Sequence, residues 1–233
     1  MYTSTETPVA MRAARHDLAW LNRQGWEHAI AAARPEHQAA LARWQDNDWP
    51  AIVRRRDADA GADQVCLGIP LPPDPLSGEK IRIALRARQD HIGRTARPLP
   101  LQAAPMGSAR AASAAVNALA RAAAGAAGVA LHVYGSFAMQ ALTGQTYLTP
   151  SSDIDLLFYP TSRPQLDAGL ALLAAHARSL PLDGEIVFPG GAAVSWKEWL
   201  QAAASRSRVL VKDLHAVRLA EPAVLLAMLE ARP

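Results

Sequence analysis

The chain has 233 residues, 50% of them hydrophobic, six tryptophans and a formal net charge of +3 at pH 7. That length allows one large domain or two small ones with a real core, and the apolar content excludes a globally disordered chain. The longest apolar run, Ala114 to Leu131, is mostly alanine and carries Asn117 and Arg121, too weakly apolar for a bilayer core. Met1 to Ala14 lacks the leucine-rich stretch of a secretory signal. Cys66 is the single cysteine. It can form neither an internal disulfide nor a thiolate metal site, so it reads as a small buried hydrophobe in a cytoplasmic protein.

In chain order, helical patterns cover Asp17 to Asn22 and Arg34 to Trp44. Ile52 to Arg55, Gln64 to Ile69 and Lys80 to Arg86 read as strands, with the proline-rich Gly68 to Gly78 running into a loop. Alternation places Ile81, Ile83 and Leu85 on one face of the last strand and Lys80, Arg82 and Arg86 on the other. Only three of the 24 basic residues are lysines, and Lys80 to Arg97 holds six basic residues against one acid, Asp90. Arg54, Arg55 and Arg56 form a second cluster. These read as a solvated basic face or as a docking patch for an anionic partner. Arg94 to Gly107, with Pro98, Pro100 and Pro105, is the expected linker, which divides the chain into residues 1–105 and 106–233.

Past the linker, Ser108 caps an alanine-rich helix ending at Gly125 and Gly128. Val129 to Tyr134 is a strand, Gly135-Ser136 a turn and Phe137 to Leu142 a short helix. Asp153 to Tyr159 is a second strand, and Pro164 to Ser179 a helix. Glu185 to Phe188 and Ala192 to Ser195 flank a Pro-Gly-Gly hairpin signal. Ser195 and Glu198 make a capping box, Val209 to Val211 is a strand, and Pro222 opens a last helix. The expected class is α+β: a small β-rich N-terminal domain, then an α/β domain with a mixed sheet.

The chemistry concentrates between Val133 and Tyr159. Residues two apart on a strand share a face, so Asp153 and Asp155 project side by side. Two carboxylates so close repel unless a cation lies between them, and hard oxygen ligands favour Mg²⁺. Gly135 lets backbone approach a ligand, and Ser136 offers a hydroxyl and N–H groups to a phosphate. Lys212, after Val209-Leu210-Val211, is a further phosphate-binding candidate. Phosphate donors beside metal-binding carboxylates equip a site for phosphoryl or nucleotidyl transfer.

The unit of strand, Gly-Ser, helix and Asp-x-Asp strand resembles the nucleotidyltransferase fold of the polymerase-β superfamily, with a longer connection between Gly-Ser and Asp153. That superfamily implies a third carboxylate on a following strand. Asp183 and Glu185 both qualify, and Glu185, inside the strand, is the choice over Asp183, which reads as a turn residue. Asp153, Asp155 and Glu185 are then the catalytic and metal-binding set.

A narrower resemblance rests on Gly135-Ser136-Phe137-Ala138-Met139-Gln140-Ala141-Leu142-Thr143-Gly144, Tyr147-Leu148 and Ser151-Ser152-Asp153-Ile154-Asp155. Arg15-His16-Asp17-Leu18, Arg54-Arg55-Arg56, Gly68 to Pro72, Asp183-Gly184-Glu185 and Trp196 to Trp199 join it. Together these resemble the malonate decarboxylase holo-acyl-carrier-protein synthases, or phosphoribosyl-dephospho-CoA transferases. The resemblance implies transfer of a phosphoribosyl-dephospho-CoA group from triphosphoribosyl-dephospho-CoA to a serine of the apo acyl carrier protein subunit, with release of pyrophosphate. Asp153 and Asp155 would be the catalytic carboxylates, Gly135, Ser136 and Lys212 would bind phosphate, and the arginines would meet either the acidic carrier or the donor.

Two other readings stand beside this one: an ATP-dependent nucleotidyltransferase, and a non-catalytic carrier-binding module. No aromatics interleave the basic residues from Lys80 to Arg97, which argues against a nucleic-acid partner. His132 reads as a sheet residue, His16 has no assigned role, and the tryptophans read as core.

Overall fold

The computed structural model describes residues 13–104, 110–126, 128–205 and 207–230. Ser108 as a helix cap, the end of the expected linker at Pro105 to Gly107, and the division at residue 105 fall outside them. The chain forms two compact units. The first comprises the chain up to Ile69 with Ala84–Ala96, and the second comprises Pro70–Ile83 with the chain from Arg97 onward.

The first unit is built on a five-stranded sheet in the order β4-β3-β2-β1-β5. Its strands are β1 (Leu18–Leu21), β2 (Ala51–Val53), β3 (Gln64–Pro70), β4 (Arg82–Arg88) and β5 (Ile92–Ala96). The helix expected over Asp17 to Asn22 is in fact β1, flanked by antiparallel β2 and β5. Asn22 instead caps α1 (Arg23–Ala32), its side chain accepting from Gly25 N at 2.8 Å. Pro35 opens α2 (Pro35–Asp46). Trp26, Leu41, Trp44, Leu67 and Ile69 form the core, and Cys66 is buried beside them as expected. On β4, Ile83, Leu85 and Ala87 point inward while Arg82, Arg86 and Arg88 point outward.

The second unit carries a seven-stranded sheet in the order β12-β11-β10-β9-β8-β7-β6. These are β6 (Leu99–Pro100), β7 (Leu131–Val133), β8 (Ile154–Phe158), β9 (Leu182–Val187), β10 (Ala193–Ser195), β11 (Val209–Lys212) and β12 (Val217–Ala220). β8 and β9 run parallel, and the neighbouring pairs run antiparallel. The sheet is therefore mixed, as the sequence implies. Among the described residues the α-helices α3 (Arg110–Gly125), α4 (Gly135–Thr143), α5 (Arg163–His176), α6 (Trp196–Ser205) and α7 (Pro222–Glu230) accompany it.

Strand alternation decides which face is core. Leu131, Val133, Ile154, Leu156, Phe158, Leu182, Ile186, Val209 and Val211 join helix residues such as Leu119, Leu170, Trp199 and Leu225 in one apolar cluster. The intervening positions (His132 on β7, Asp155 on β8, Asp183 and Glu185 on β9, Lys212 on β11) fall on the opposite face. The expected capping box at Ser195 does not close through Glu198. That carboxylate accepts instead from Leu210 N at 2.6 Å and ties α6 to β11.

β8 and β9 meet closely at Gly184, which pairs with Leu156 and has φ +138. A Cβ there would run into the Leu156 carbonyl and backbone. We expect Gly184→Ala to cost about 1–3 kcal/mol through strain and strand separation, read as a lower thermal midpoint. An unchanged midpoint would contradict the close approach.

Candidate active site

Asp155 lies directly across from Asp183 in the parallel register, and Leu157 lies across from Glu185. Asp183 is therefore a strand residue and not the turn residue that its Asp-Gly context suggests. Asp153 stands exposed just ahead of β8, and Asp155 is half-buried. Burial pushes the Asp155 carboxyl up to about 6, and the carboxylates of Asp183, Asp153 and Glu185 add to the rise against the opposing charge of Lys80. The crowding of negative charge expected from Asp-x-Asp is thus present, with Asp183 as its strongest contributor.

Gly135 faces this cluster. It has φ +65, and a Cβ would collide with the Asp155 carboxylate, so only glycine fits without displacing the acid. It is the first residue of α4, and Ser136 is the second. The helix starts two residues earlier than expected, and Gly-Ser forms its first turn. The preceding Tyr134 N donates to the Asp155 carbonyl at 3.1 Å, and no side chain caps the helix. The first N–H groups of a helix carry partial positive charge and suit an anion.

The longer connection from Gly144 to Ser152 is held by polar contacts to α4, to Pro70 and within itself. Gln140 Oε1 accepts from Tyr147 N at 3.1 Å and from Leu148 N at 3.0 Å. The Tyr147 hydroxyl donates to the Pro70 carbonyl at 2.8 Å, and Ser152 Oγ accepts from Thr149 N at 2.9 Å.

Glu185 is 5% exposed and accepts from Lys212 Nζ at 3.2 Å. Asp183 lies 3.5 Å from Lys197 Nζ. Among the described residues, no three His, Cys, Asp or Glu side chains converge into a metal shell. Asp153 and Glu185 nevertheless both act on the Asp155 carboxyl; Glu185 is engaged with Lys212, and Asp183 lies beside Asp155.

The basic clusters also differ from expectation. Arg54 binds both carboxylate oxygens of Asp57 and donates to the Leu67 carbonyl. Arg56 donates to the carbonyls of Ala60, Gly61 and Gln64. Arg86 pairs with Asp57 and Asp59, Arg88 with Asp63 and Asp90, and Arg94 with Asp48. Arg54 and Arg86 hold the Asp57 carboxyl well below the usual carboxylate range. Acids remote in sequence or in the next loop neutralise the arginines. Arg54 and Arg56 thus hold their own unit together, while Arg55 is exposed.

His132 sits in β7, edge-on to Tyr159 with ring centroids 5.2 Å apart. Burial, then Arg97, lowers its pKa. His16 adopts φ +70 in the turn before β1, and Arg15 Nη2 lies 3.0 Å from its Nε2.

Comparison with known proteins bears on the same segments. Residues 14–98 match the family described as phosphoribosyl-dephospho-CoA transferase MdcG N-terminal domain, and residues 83–223 match its C-terminal domain. Bradyrhizobium diazoefficiens has a phosphoribosyl-dephospho-CoA transferase 40% identical over 213 residues, covering 87% of this chain and 88% of that protein. One from Xanthomonas campestris pv. campestris is 38% identical over 209 residues, covering 89% and 93%. The chain belongs to the phosphoribosyl-dephospho-CoA transferase family. A Xanthomonas euvesicatoria member is 37% identical over 217 residues, covering 91% of this chain and 96% of its own. No solved structure gives a significant match. Gly135, Ser136, Asp153, Asp155, Asp183, Glu185 and Lys212 all fall within the matched C-terminal domain.

The raised Asp155 carboxyl has a consequence for stability. The folded chain keeps this proton up to about pH 6, whereas an ordinary aspartate loses it near 3.8. The folded state thus binds more protons in that window, and the Asp155 contribution to stability is lost as pH rises through it. Thermal midpoints of the metal-free protein between about pH 4 and pH 7 should fall less steeply for Asp155→Asn than for wild type. Identical profiles would contradict the crowding.

Proposed function

We propose that the chain transfers a phosphoribosyl-dephospho-CoA group from triphosphoribosyl-dephospho-CoA to a serine of the apo acyl carrier protein subunit of malonate decarboxylase, releasing pyrophosphate. Family membership supports the reaction class. The observation that carries the site is the packing of Asp155 against Gly135 at the start of α4, which sets phosphate-binding N–H groups beside crowded carboxylates.

Mg²⁺ binds proteins through one or two carboxylates and completes its shell with water and phosphate oxygens. Asp153 and Asp155 fit that demand and would hold the ion, which when bound neutralises phosphate charge and polarises the reacting phosphorus. The Ser136 hydroxyl and the first N–H groups of α4 bind phosphate oxygens. Gly135 lets them approach, because no side chain intervenes. The acceptor serine oxygen attacks the α-phosphorus, the bond to the bridging oxygen breaks, and pyrophosphate leaves. The serine proton passes to a carboxylate of the cluster. Among the described residues no helix is long and apolar enough to cross a membrane, and we place the reaction in the cytoplasm.

Intact-mass spectrometry of the apo carrier, incubated with the chain, Mg²⁺ and donor, tests this. The carrier should gain the mass of one phosphoribosyl-dephospho-CoA group, and Asp153→Asn should slow the gain by about 100-fold or more without changing the thermal midpoint. Adenylylation of the carrier from ATP would replace this reading with the ATP-dependent one, and an unmodified carrier would overturn it. Supplying the citrate lyase carrier in parallel decides which acceptor is preferred.

A further inference from the structure

Glu185 is the carboxylate that the sequence assigns to the metal, yet its surroundings give it another task. It is 5% exposed on the central strand β9, and a buried carboxylate is costly unless a cation compensates it. Lys212 Nζ supplies that compensation at 3.2 Å. The Lys212 side chain remains 39% exposed, so the pair is reachable from solvent.

The backbone beneath Lys212 is held as firmly as its head. Lys212 ends β11, in register with Ala193 on one side and Val217 on the other. Beyond it, Asp213 Oδ1 accepts from His215 N at 2.8 Å and Ala216 N at 2.7 Å, closing the turn into β12. On the same face, Glu185 stands one strand and one two-residue step from Asp155. Strand geometry makes that roughly 8 Å between backbones, a separation that a polyphosphate ester bridges.

We propose that Glu185 is a positioning residue: it holds the Lys212 ammonium on the carboxylate-bearing face of the sheet, where the ammonium binds a phosphate group of the donor. The identity of that anion rests on the transferase reading above; the pairing does not. A lysine ammonium left to itself samples many rotamers, and anchoring it beforehand lowers the entropy lost when the phosphate arrives.

The test compares wild type, Glu185→Gln, Lys212→Gln, Lys212→Arg and the double variant Glu185→Gln/Lys212→Gln. Readouts are pyrophosphate affinity by calorimetry, Mn²⁺ affinity by electron paramagnetic resonance, and donor KM and kcat. Glu185→Gln and Lys212→Gln should each weaken pyrophosphate binding and raise donor KM by about 10–100-fold, the scale of one charge-assisted hydrogen bond. KM should change more than kcat, and Mn²⁺ affinity should hold. The double variant should lose no more than the worse single one, and Lys212→Arg should restore part of the affinity. A loss of Mn²⁺ affinity in Glu185→Gln but not in Lys212→Gln would overturn the proposal and make Glu185 a metal ligand. Unchanged pyrophosphate affinity in the folded double variant would overturn it too, leaving the pair a structural one. Should the wild type fail to modify any carrier, the transferase reading falls, while pyrophosphate affinity still decides whether the pair binds an anion.

Discussion

Asp155 and Asp183 are pressed side by side by the parallel pairing of β8 with β9, and the character of the site follows from that contact. The pairing closes tightly because Gly184 has no side chain to meet the Leu156 carbonyl. On the other flank, Gly135 brings the first turn of α4 against the same Asp155 carboxylate. Both glycines thus sit against β8, and Gly135 sets the start of α4 beside the crowded acids. Crowded carboxylates favour a cation and a helix start favours an anion, and a polyphosphate carrying a divalent metal, the proposed ligand, would satisfy both.

Charge elsewhere in the second unit is arranged in partnerships. Asp183 lies near Lys197 and Glu185 is bound by Lys212, so the scarce lysines of this arginine-rich chain stand beside the central carboxylates. Several arginines of the first unit brace its framework. Arg54, Arg86, Arg88 and Arg94 meet aspartates, and Arg56 meets loop carbonyls. A lysine on a flexible stem with a compact charge suits a phosphate that must come and go, whereas the planar guanidinium fork suits a fixed bidentate partner.

Much of the site was legible because it depends on local rules. Strand alternation puts Asp155 on the face opposite Ile154, Leu156 and Phe158, and the apolar helical pattern after Gly-Ser marks α4, which begins two residues earlier, at Gly135. The family resemblance was equally local, carried by short motifs along the chain. What escaped was set by pairing between distant segments. Asp183 followed by glycine has the local signature of a turn, and only its register against Asp155 shows it to be a strand residue. Glu185 had the right residue type for a metal ligand, but its partner lies 27 residues away on a strand two positions over. The ion pairs of the basic stretch are invisible locally for the same reason, since Asp48, Asp57 and Asp59 lie outside the stretch whose arginines they meet. Asp17 to Asn22 has a helical pattern but folds as the short strand Leu18–Leu21, because four consecutive apolar residues show no period. Asn22, which caps the next helix, marked the boundary.

The central claim is that Asp155, framed by Gly135 and Asp183, is where a divalent cation and a polyphosphate meet. Titration of Mn²⁺ followed by electron paramagnetic resonance, with pyrophosphate present, tests it most directly. Wild type should show a saturable site that is lost in Asp155→Asn while the variant stays folded. Equal Mn²⁺ binding by the two proteins would contradict the account.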